Sequence, residues 1–512
     1  MNLKHFFEYF KLSKSVRNFV YTGALILILC VGAYYRGISI EKNVRIRNRF
    51  EASVSMASYL FVNPAAYNLA NVVNEEHSIY DSFPLNEYDE YTTGAEDVVF
   101  VRNHPGISRA EKDSMRKSRS ELGWAFILRY VLPDGIKGSR NMAKRVVHFR
   151  FVVEMILIVM MFFVGKKIAG FLGAVLSALL YAIFLPAVHM MCYITYYYWA
   201  IPFSVFSLFF WVVLYDMGKK ENNLKKKMVL FFIYGMIMGF ATATRMILLF
   251  LPLFLSPFIF YKERKIKISI ILLIVMLSGQ FLLLIPQVFV NRLQFGRWTI
   301  SARETWHAVF MGVGIRKNPF GIENSGDYAV FDYIKRTQGV DINEDGFDAY
   351  NQACTTQAIK VIRENPGLFI DNAIENIKSS GKINPTIFYA IDIPFKEVPS
   401  LEDMKDTSPS SLNSVPLIDK YFLWAILLAL IVIFFSSKEQ FRMFLIVIAQ
   451  NIYLVLVICL YFPNYLYFMS GYIPSWILLI ALSMAIIAGK SLFILKSLAS
   501  RIAKRQVFIK LI

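Results

Sequence analysis

Carboxylates able to take a proton and cations able to hold an anion are concentrated at a few places in this chain. The stretch EDVVFVRNHPGIS (96–108) begins with Glu96 and Asp97 and runs through Arg102 and His104 into a Pro-Gly turn. Glu51 opens a short helical pattern over residues 50–64, where a carboxylate suits the helix dipole. Arg245, in ATATRMILLFLP (241–252), separates two apolar runs. It could snorkel to lipid headgroups or meet an anionic substrate at the membrane face. Glu154 interrupts an apolar run one helical turn from Arg150, and an internal pair is expected there. The chemistry open to such a set is proton transfer by a carboxylate and anion binding by the arginine fork.

These groups stand out because the rest of the chain is apolar. Of 512 residues 56% are hydrophobic and 16% aromatic, and the mean hydropathy is +0.46, well beyond the needs of a soluble core. Ten runs are long enough to cross about 30 Å of hydrocarbon: 19–35, 151–164, 168–186, 196–215, 228–244, 246–260, 268–290, 421–435, 443–462 and 470–488. The expected fold is an all-α polytopic membrane protein with two long extracytoplasmic loops carrying interfacial helices.

Lys and Arg accumulate in cytoplasmic loops. With the N-terminus inside, the short inner segments hold 23 basic and 4 acidic residues, whereas the outer loops 36–147 and 289–419 hold 29 basic and 31 acidic ones. Nearly all of the net charge of +18 therefore belongs to one side, and both termini are expected in the cytoplasm. Basic residues strewn over short loops are not a folded nucleic-acid face. The organisation follows: 1–35, N-terminus and signal-anchor span; 36–147, first outer loop; 148–290, a bundle of about six spans; 291–419, second outer region; 420–488, C-terminal spans; 489–512, a basic tail.

Function is expected in the outer loops, which are too long for mere connections. In the first, ISRAEKDSMRKSRSELGWAFILRYVLP (107–133) becomes apolar from Trp124 to Leu132, as in a helix lying in the membrane interface with Arg129 snorkelling. In the second, a helix is expected from about 346, stopped before Pro366, and another from about 367. Ala353, Ala358, Ile359 and Ile362 form the apolar stripe of the first, and 384–395 is apolar again.

Asp341, Asn343, Asp345 and Gly346 imitate a calcium loop, but its twelfth position is Gln352 rather than glutamate, and a polar turn capping the helix explains it better. TYYYWAIP (195–202) is expected as an aromatic belt at an outer boundary. The six histidines form no HExxH, and no nucleophile motif, Gly-rich phosphate loop or paired cysteine spacing occurs. No cofactor is called for, with a divalent metal left open.

The layout resembles the GT-C superfamily of membrane glycosyltransferases, in particular the bacterial branch similar to dolichyl-phosphate-mannose protein mannosyltransferases and lipid A aminoarabinose transferases. Local echoes are RNHPG (102–106), TATRMILLFLP (242–252) and AIKVIRENPGLFIDNAIENI (358–377). The resemblance implies transfer of a sugar from a polyprenyl-phosphate carrier to a lipid, glycan or protein acceptor on the outer side of a membrane, the bacterial inner membrane being the expected one. It makes Glu51 the first candidate base, with Glu96 and Asp97 next. Arg102, His104 and Arg245 would hold the lipid phosphate. Glu51 departs from the family's acidic pair followed by tyrosine, and HMMCYITYYYW (189–199) lacks a carboxylate that relatives often carry there.

Two rivals share the gross layout. O-antigen polymerases or ligases usually place their long loop late in the chain, whereas here one follows the first span. Transporters tend to show internal repeats, and none is evident. Tags inserted near residues 90 and 345 are both expected to be labelled by a membrane-impermeant reagent from outside intact cells; a protected tag at either place overturns the layout.

Overall fold

A computed structural model describes residues 14–43, 45–46, 123, 126–127, 131, 139–194, 196–217, 223–295, 298–300, 305–314, 317–322, 327–341, 345–379, 432, 436–461, 471 and 473–491. The described chain is helical apart from a two-residue parallel pair. Helix α1 (Lys14–Asn43) leads into β1 (Arg45–Ile46), which pairs with β2 (Tyr193–Ile194) in the register Arg45 to Tyr193 and Ile46 to Ile194. Between them lie α2 (Ser139–Ile183) and α3 (Leu185–Cys192).

Helix α2 is a hairpin. Ala169 and Gly170 leave helical geometry (φ −128°, ψ 15° and φ 74°, ψ −152°), and the second conformation requires glycine. On a straight helix Gly165 and Gly173 would stand about 12 Å apart at 1.5 Å per residue. Here a Cβ on Gly165 would lie 2.3 Å from the Gly173 carbonyl oxygen. The runs expected at 151–164 and 168–186 are thus the two arms of one folded-back element. Helix α1 packs against both arms: the Tyr21 ring meets Phe162 and Phe171 edge-on and lies 4.1 Å from Lys166 Nζ, and fifteen residues later Arg36 reaches Glu154 and Ala182.

A 3-10 turn (Tyr196–Trp199) leads to α4 (Ala200–Met217), followed by α5 (Leu224–Thr244), a 3-10 turn at Met246–Leu248, α6 (Leu251–Leu255), α7 (Pro257–Glu263) and α8 (Ile266–Phe295). Helices α5 and α8 run parallel at backbone contact. A Cβ on Gly235 would fall 1.9 Å from the Met276 carbonyl oxygen, one on Gly239 2.3 Å from that of Gln280, and one on Gly279 2.3 Å from that of Phe232. Small residues spaced by four let membrane helices approach this closely and gain packing where lipid supplies no hydrophobic drive. The nearby Tyr234 hydroxyl accepts from Trp211 Nε1 and bonds the Ser207 hydroxyl, each at 2.9 Å.

Helices α9 (Thr305–Gly314), α10 (Asp327–Gln338), α11 (Gly346–Glu364) and α12 (Pro366–Ser379) follow, then α13 (Lys438–Tyr461) and α14 (Ile473–Ser491). The protein is an all-helical polytopic membrane protein: seven described helical stretches are long and apolar enough to cross a bilayer. Three differences separate seven from the ten expected runs. The α2 hairpin counts once, the apolar part of α4 (Ala200–Leu214) is short, and 421–435 apart from Val432 lies outside the described residues.

Segments read as inner loops meet at one end of the bundle. Lys227 bonds Glu263 at 2.8 Å, Lys262 donates to the Leu214 carbonyl, and the Arg442 guanidinium lies 5.1 Å from the Tyr261 ring centre. Helices α9 to α12 build a second core around Phe310, Tyr333, Tyr350, Cys354 and Val361. The break before Pro366 falls where expected, since proline cannot donate to the preceding turn. The stripe needs correction: Ala353 and Ala358 are buried, but Ile359 is 54% exposed, because the buried face of α11 runs through Tyr350, Ala353, Cys354, Gln357, Ala358 and Val361.

Candidate functional site

Glu51, Glu96, Asp97, Arg102 and His104 lie outside the described residues, as do the apolar segment 384–395 and the belt residue Thr195. What the structure describes is the end of the bundle where α1 finishes and α2 begins.

Glu154 sits there, buried, and its partner differs from the expected one. Arg36 of α1 donates to Glu154 Oε2 from Nη2 at 2.6 Å and from Nε at 3.1 Å. The Tyr198 hydroxyl donates to Oε1 at 2.9 Å, and the Tyr181 hydroxyl bonds the same carboxylate at 3.1 Å. Arg36 also donates to the Ala182 carbonyl at 2.9 Å. Arg150 instead lies over the Tyr198 ring, 4.4 Å from its centre, and donates to the Met191 carbonyl at 3.3 Å. The local i, i+4 pairing loses because three other segments converge on Glu154: α1, the second arm of α2 and the turn before α4. A carboxylate at membrane depth needs every lone pair satisfied, and two phenols and a guanidinium do that together.

The same network corrects the aromatic belt. Tyr198 and Trp199 are buried rather than at headgroups; one hydroxyl serves Glu154, and the Trp199 ring lies beside Phe149 and Arg150. Sequence reasoning found Glu154 but missed Arg36, Tyr181 and Tyr198. The available signal was depth: helices folded side by side bring the outer end of the first span level with the outer half of the second.

Arg245 is buried, 6% exposed. It is the extended residue (φ −145°, ψ 103°) at which α5 stops, its N–H bonding the Ala241 carbonyl at 2.7 Å. The reversal that follows is held from two sides. Gln280 of α8 donates to the Leu249 carbonyl at 2.7 Å, while the Tyr453 hydroxyl of α13 donates to the Ile247 carbonyl at 2.8 Å and accepts from the Phe250 amide at 3.1 Å.

The apolar stretch after 122 docks on this end of α5. A Cβ on Gly123 would meet Thr244 Oγ1 at 2.3 Å, and Phe126 packs edge-on against Phe240 at 5.6 Å. Between this stretch and the start of α2 lies a groove of about 540 Å³ lined by Phe126, Ile127, Val131, Val152, Phe149 and Phe240 together with the exposed Arg145 and His148. Ile127 belongs to the bundle core, so the described residues of the stretch expected as an interfacial helix form a wall of this groove. An apolar slot whose lining includes one cation and one imidazole fits a hydrocarbon chain carrying an anionic head.

In the polar turn before α11, Asp341 pairs with Lys335, and its backbone N–H donates to Asp345 Oδ2 at 2.9 Å. Among the described residues no three His, Cys, Asp or Glu side chains gather as metal ligands would.

Fold and groove together define a class: a polytopic helical membrane protein with a lateral apolar groove at one end of its bundle. No family profile and no curated protein matches the chain. Among solved structures it is similar to the archaeal oligosaccharyltransferase AglB from Archaeoglobus fulgidus in complex with an inhibitory peptide and a dolichol-phosphate, at 12% identity and a TM-score of 0.48. The match covers 95% of this chain and 52% of that one, so the chain spans about half the length of the protein it matches.

Proposed function

We propose that the protein is a GT-C-type glycosyltransferase that moves a sugar from a polyprenyl-phosphate carrier to an acceptor on the extracytoplasmic side of the membrane. The observation that carries this reading is the groove: its lining is aromatic and aliphatic apart from Arg145 and His148, and it includes Phe240, five residues before the buried Arg245. A lipid entering sideways from the bilayer would lay its chain there and leave its phosphate at the polar edge.

In the mechanism that follows, Glu51 takes the proton of the acceptor hydroxyl and the oxygen attacks the anomeric carbon. The bond from that carbon to the phosphate oxygen breaks with inversion, and the lipid phosphate leaves as an anion. Arg245, Arg102 and His104 would neutralise that charge as it develops, and cations held ready for a developing anion lower the barrier. Glu96 and Asp97 are the next candidates for the base. The acceptor is a lipid, glycan or protein reached from outside, and no cofactor is invoked.

The test is transfer of labelled sugar from a panel of polyprenyl-phosphate sugars to membrane acceptors in vesicles. Glu51→Gln is expected to lower transfer by about 10²–10⁴-fold, the usual contribution of a general base. Full transfer in this variant removes Glu51 and moves the role to Glu96 or Asp97. Absence of transfer from every donor by the native protein overturns the enzyme reading in favour of a lipid-linked saccharide transporter.

A further inference from the structure

A stripe of exposed apolar side chains runs the length of α8 through Ile266, Ile270, Ile274, Phe281, Ile285 and Phe289. Lys265 and Lys267 stand at its start. From Lys267 to Phe289 the helix rises about 33 Å at 1.5 Å per residue, close to the ~30 Å of bilayer hydrocarbon. The stripe therefore has the length and character of a lipid-facing surface, with its far edge at Phe289.

At that edge stands a built cluster. Phe289 is 52% and Trp298 64% exposed, their rings meeting edge to face at 5.4 Å. The Arg292 guanidinium lies 5.7 Å from the Trp298 ring centre. Asn291 donates to the Thr299 carbonyl at 2.8 Å and accepts from Gln287 at 2.9 Å, which folds the chain after Trp298 back onto the end of α8. The indole is thus held out from the protein by a hydrogen-bonded support.

We propose that Phe289, Arg292 and Trp298 form an anchor in the headgroup layer of the bilayer, with the indole at the boundary between acyl chains and headgroups and Arg292 reaching lipid phosphate. Three observations favour a lipid surface as the occupant: the cluster continues the apolar stripe, it lies one hydrocarbon thickness from the basic start of α8, and it joins an aromatic to a cation as interfacial anchors do. The aromatics at 198–199 are buried around Glu154 and leave this role open. The anchor fixes the depth of α8 and of the second outer region that follows it.

The full-length protein reconstituted in phosphatidylcholine vesicles tests this. Acyl chains brominated near the headgroup or near the bilayer centre serve as quenchers, and Trp298→Phe identifies the emission of Trp298 by difference. That component is expected to lose more intensity to the shallow bromines than to the deep ones, as its placement at the headgroup level requires, and hardly any to aqueous iodide. Quenching by iodide with no response to either bromolipid overturns the anchor and makes the cluster a water-facing aromatic platform, as a carbohydrate would need. Should Trp298→Phe fail to fold, a nitroxide on Trp298→Cys reads the same depth from its relative accessibility to oxygen and to a water-soluble nickel complex.

Discussion

Glu154→Leu is expected to destabilise the protein by about 3–5 kcal/mol, the usual cost of removing one member of a buried ion pair. The variant leaves the Arg36 guanidinium with only the Ala182 and Gly32 carbonyls among its described acceptors. It also takes from Tyr181 and Tyr198 the carboxylate to which both donate. The double variant Arg36→Leu with Glu154→Leu is expected to regain more than half of the loss, because two apolar side chains of similar bulk carry no unpaired charge. Chemical unfolding in detergent micelles, read as a double-mutant cycle, measures the coupling. Additive losses would show that the two side chains stabilise the fold separately. The consequence reaches beyond stability: the pair holds the outer end of α1, and with it β1, from which the chain continues to Glu51.

Gly235→Val is expected to act at least as strongly through geometry alone. Its Cβ would fall 1.9 Å from a backbone oxygen of α8, and a carbonyl cannot swing aside as a side chain does. The helices must separate, which also parts Gly239 from Gln280 and Gly279 from Phe232. Overpacking a core by a few methylenes costs about 1–3 kcal/mol, and clash with backbone along a whole interface lies at or above the top of that range. The expected result is loss of the folded fraction in size-exclusion chromatography. Gly23→Ala is the control, since nothing lies within 4 Å of the Cβ it would add. A well-folded Gly235→Val would show that α5 and α8 are not held at backbone contact. Because α5 ends at Arg245 and carries Phe240, the same substitution is expected to disturb the groove.

How far the sequence reached depended on the range of the interaction. Hydropathy located the membrane helices because a span needs only its own length and composition. Local rules were enough for the second outer region, where Pro366 divides α11 from α12 as expected. Periodicity found α11 but misassigned Ile359, since a helix face is fixed by what packs on it. For the site, the sequence singled out Glu154 and Arg245 as charges that a membrane span would not carry idly. It gave Glu154 the wrong partner: a neighbour four residues away is visible in a string, whereas Arg36, 118 positions earlier, is not. It set Tyr198 and Trp199 at headgroup level for the same reason, their buried surroundings coming from helices α1 and α2.

The chain by itself thus determined that the protein is helical and polytopic, with its basic residues concentrated in the short segments between apolar runs. Tertiary structure alone decided which charge meets which, that α2 folds back on itself, that Arg245 turns inward, and that a docked stretch after 122 closes a groove against α2 and α5. The physical reason is that burial and length are properties of a segment. Charge pairing, close helix contact and cavities are properties of several distant segments brought to one depth, and only the folded chain specifies that.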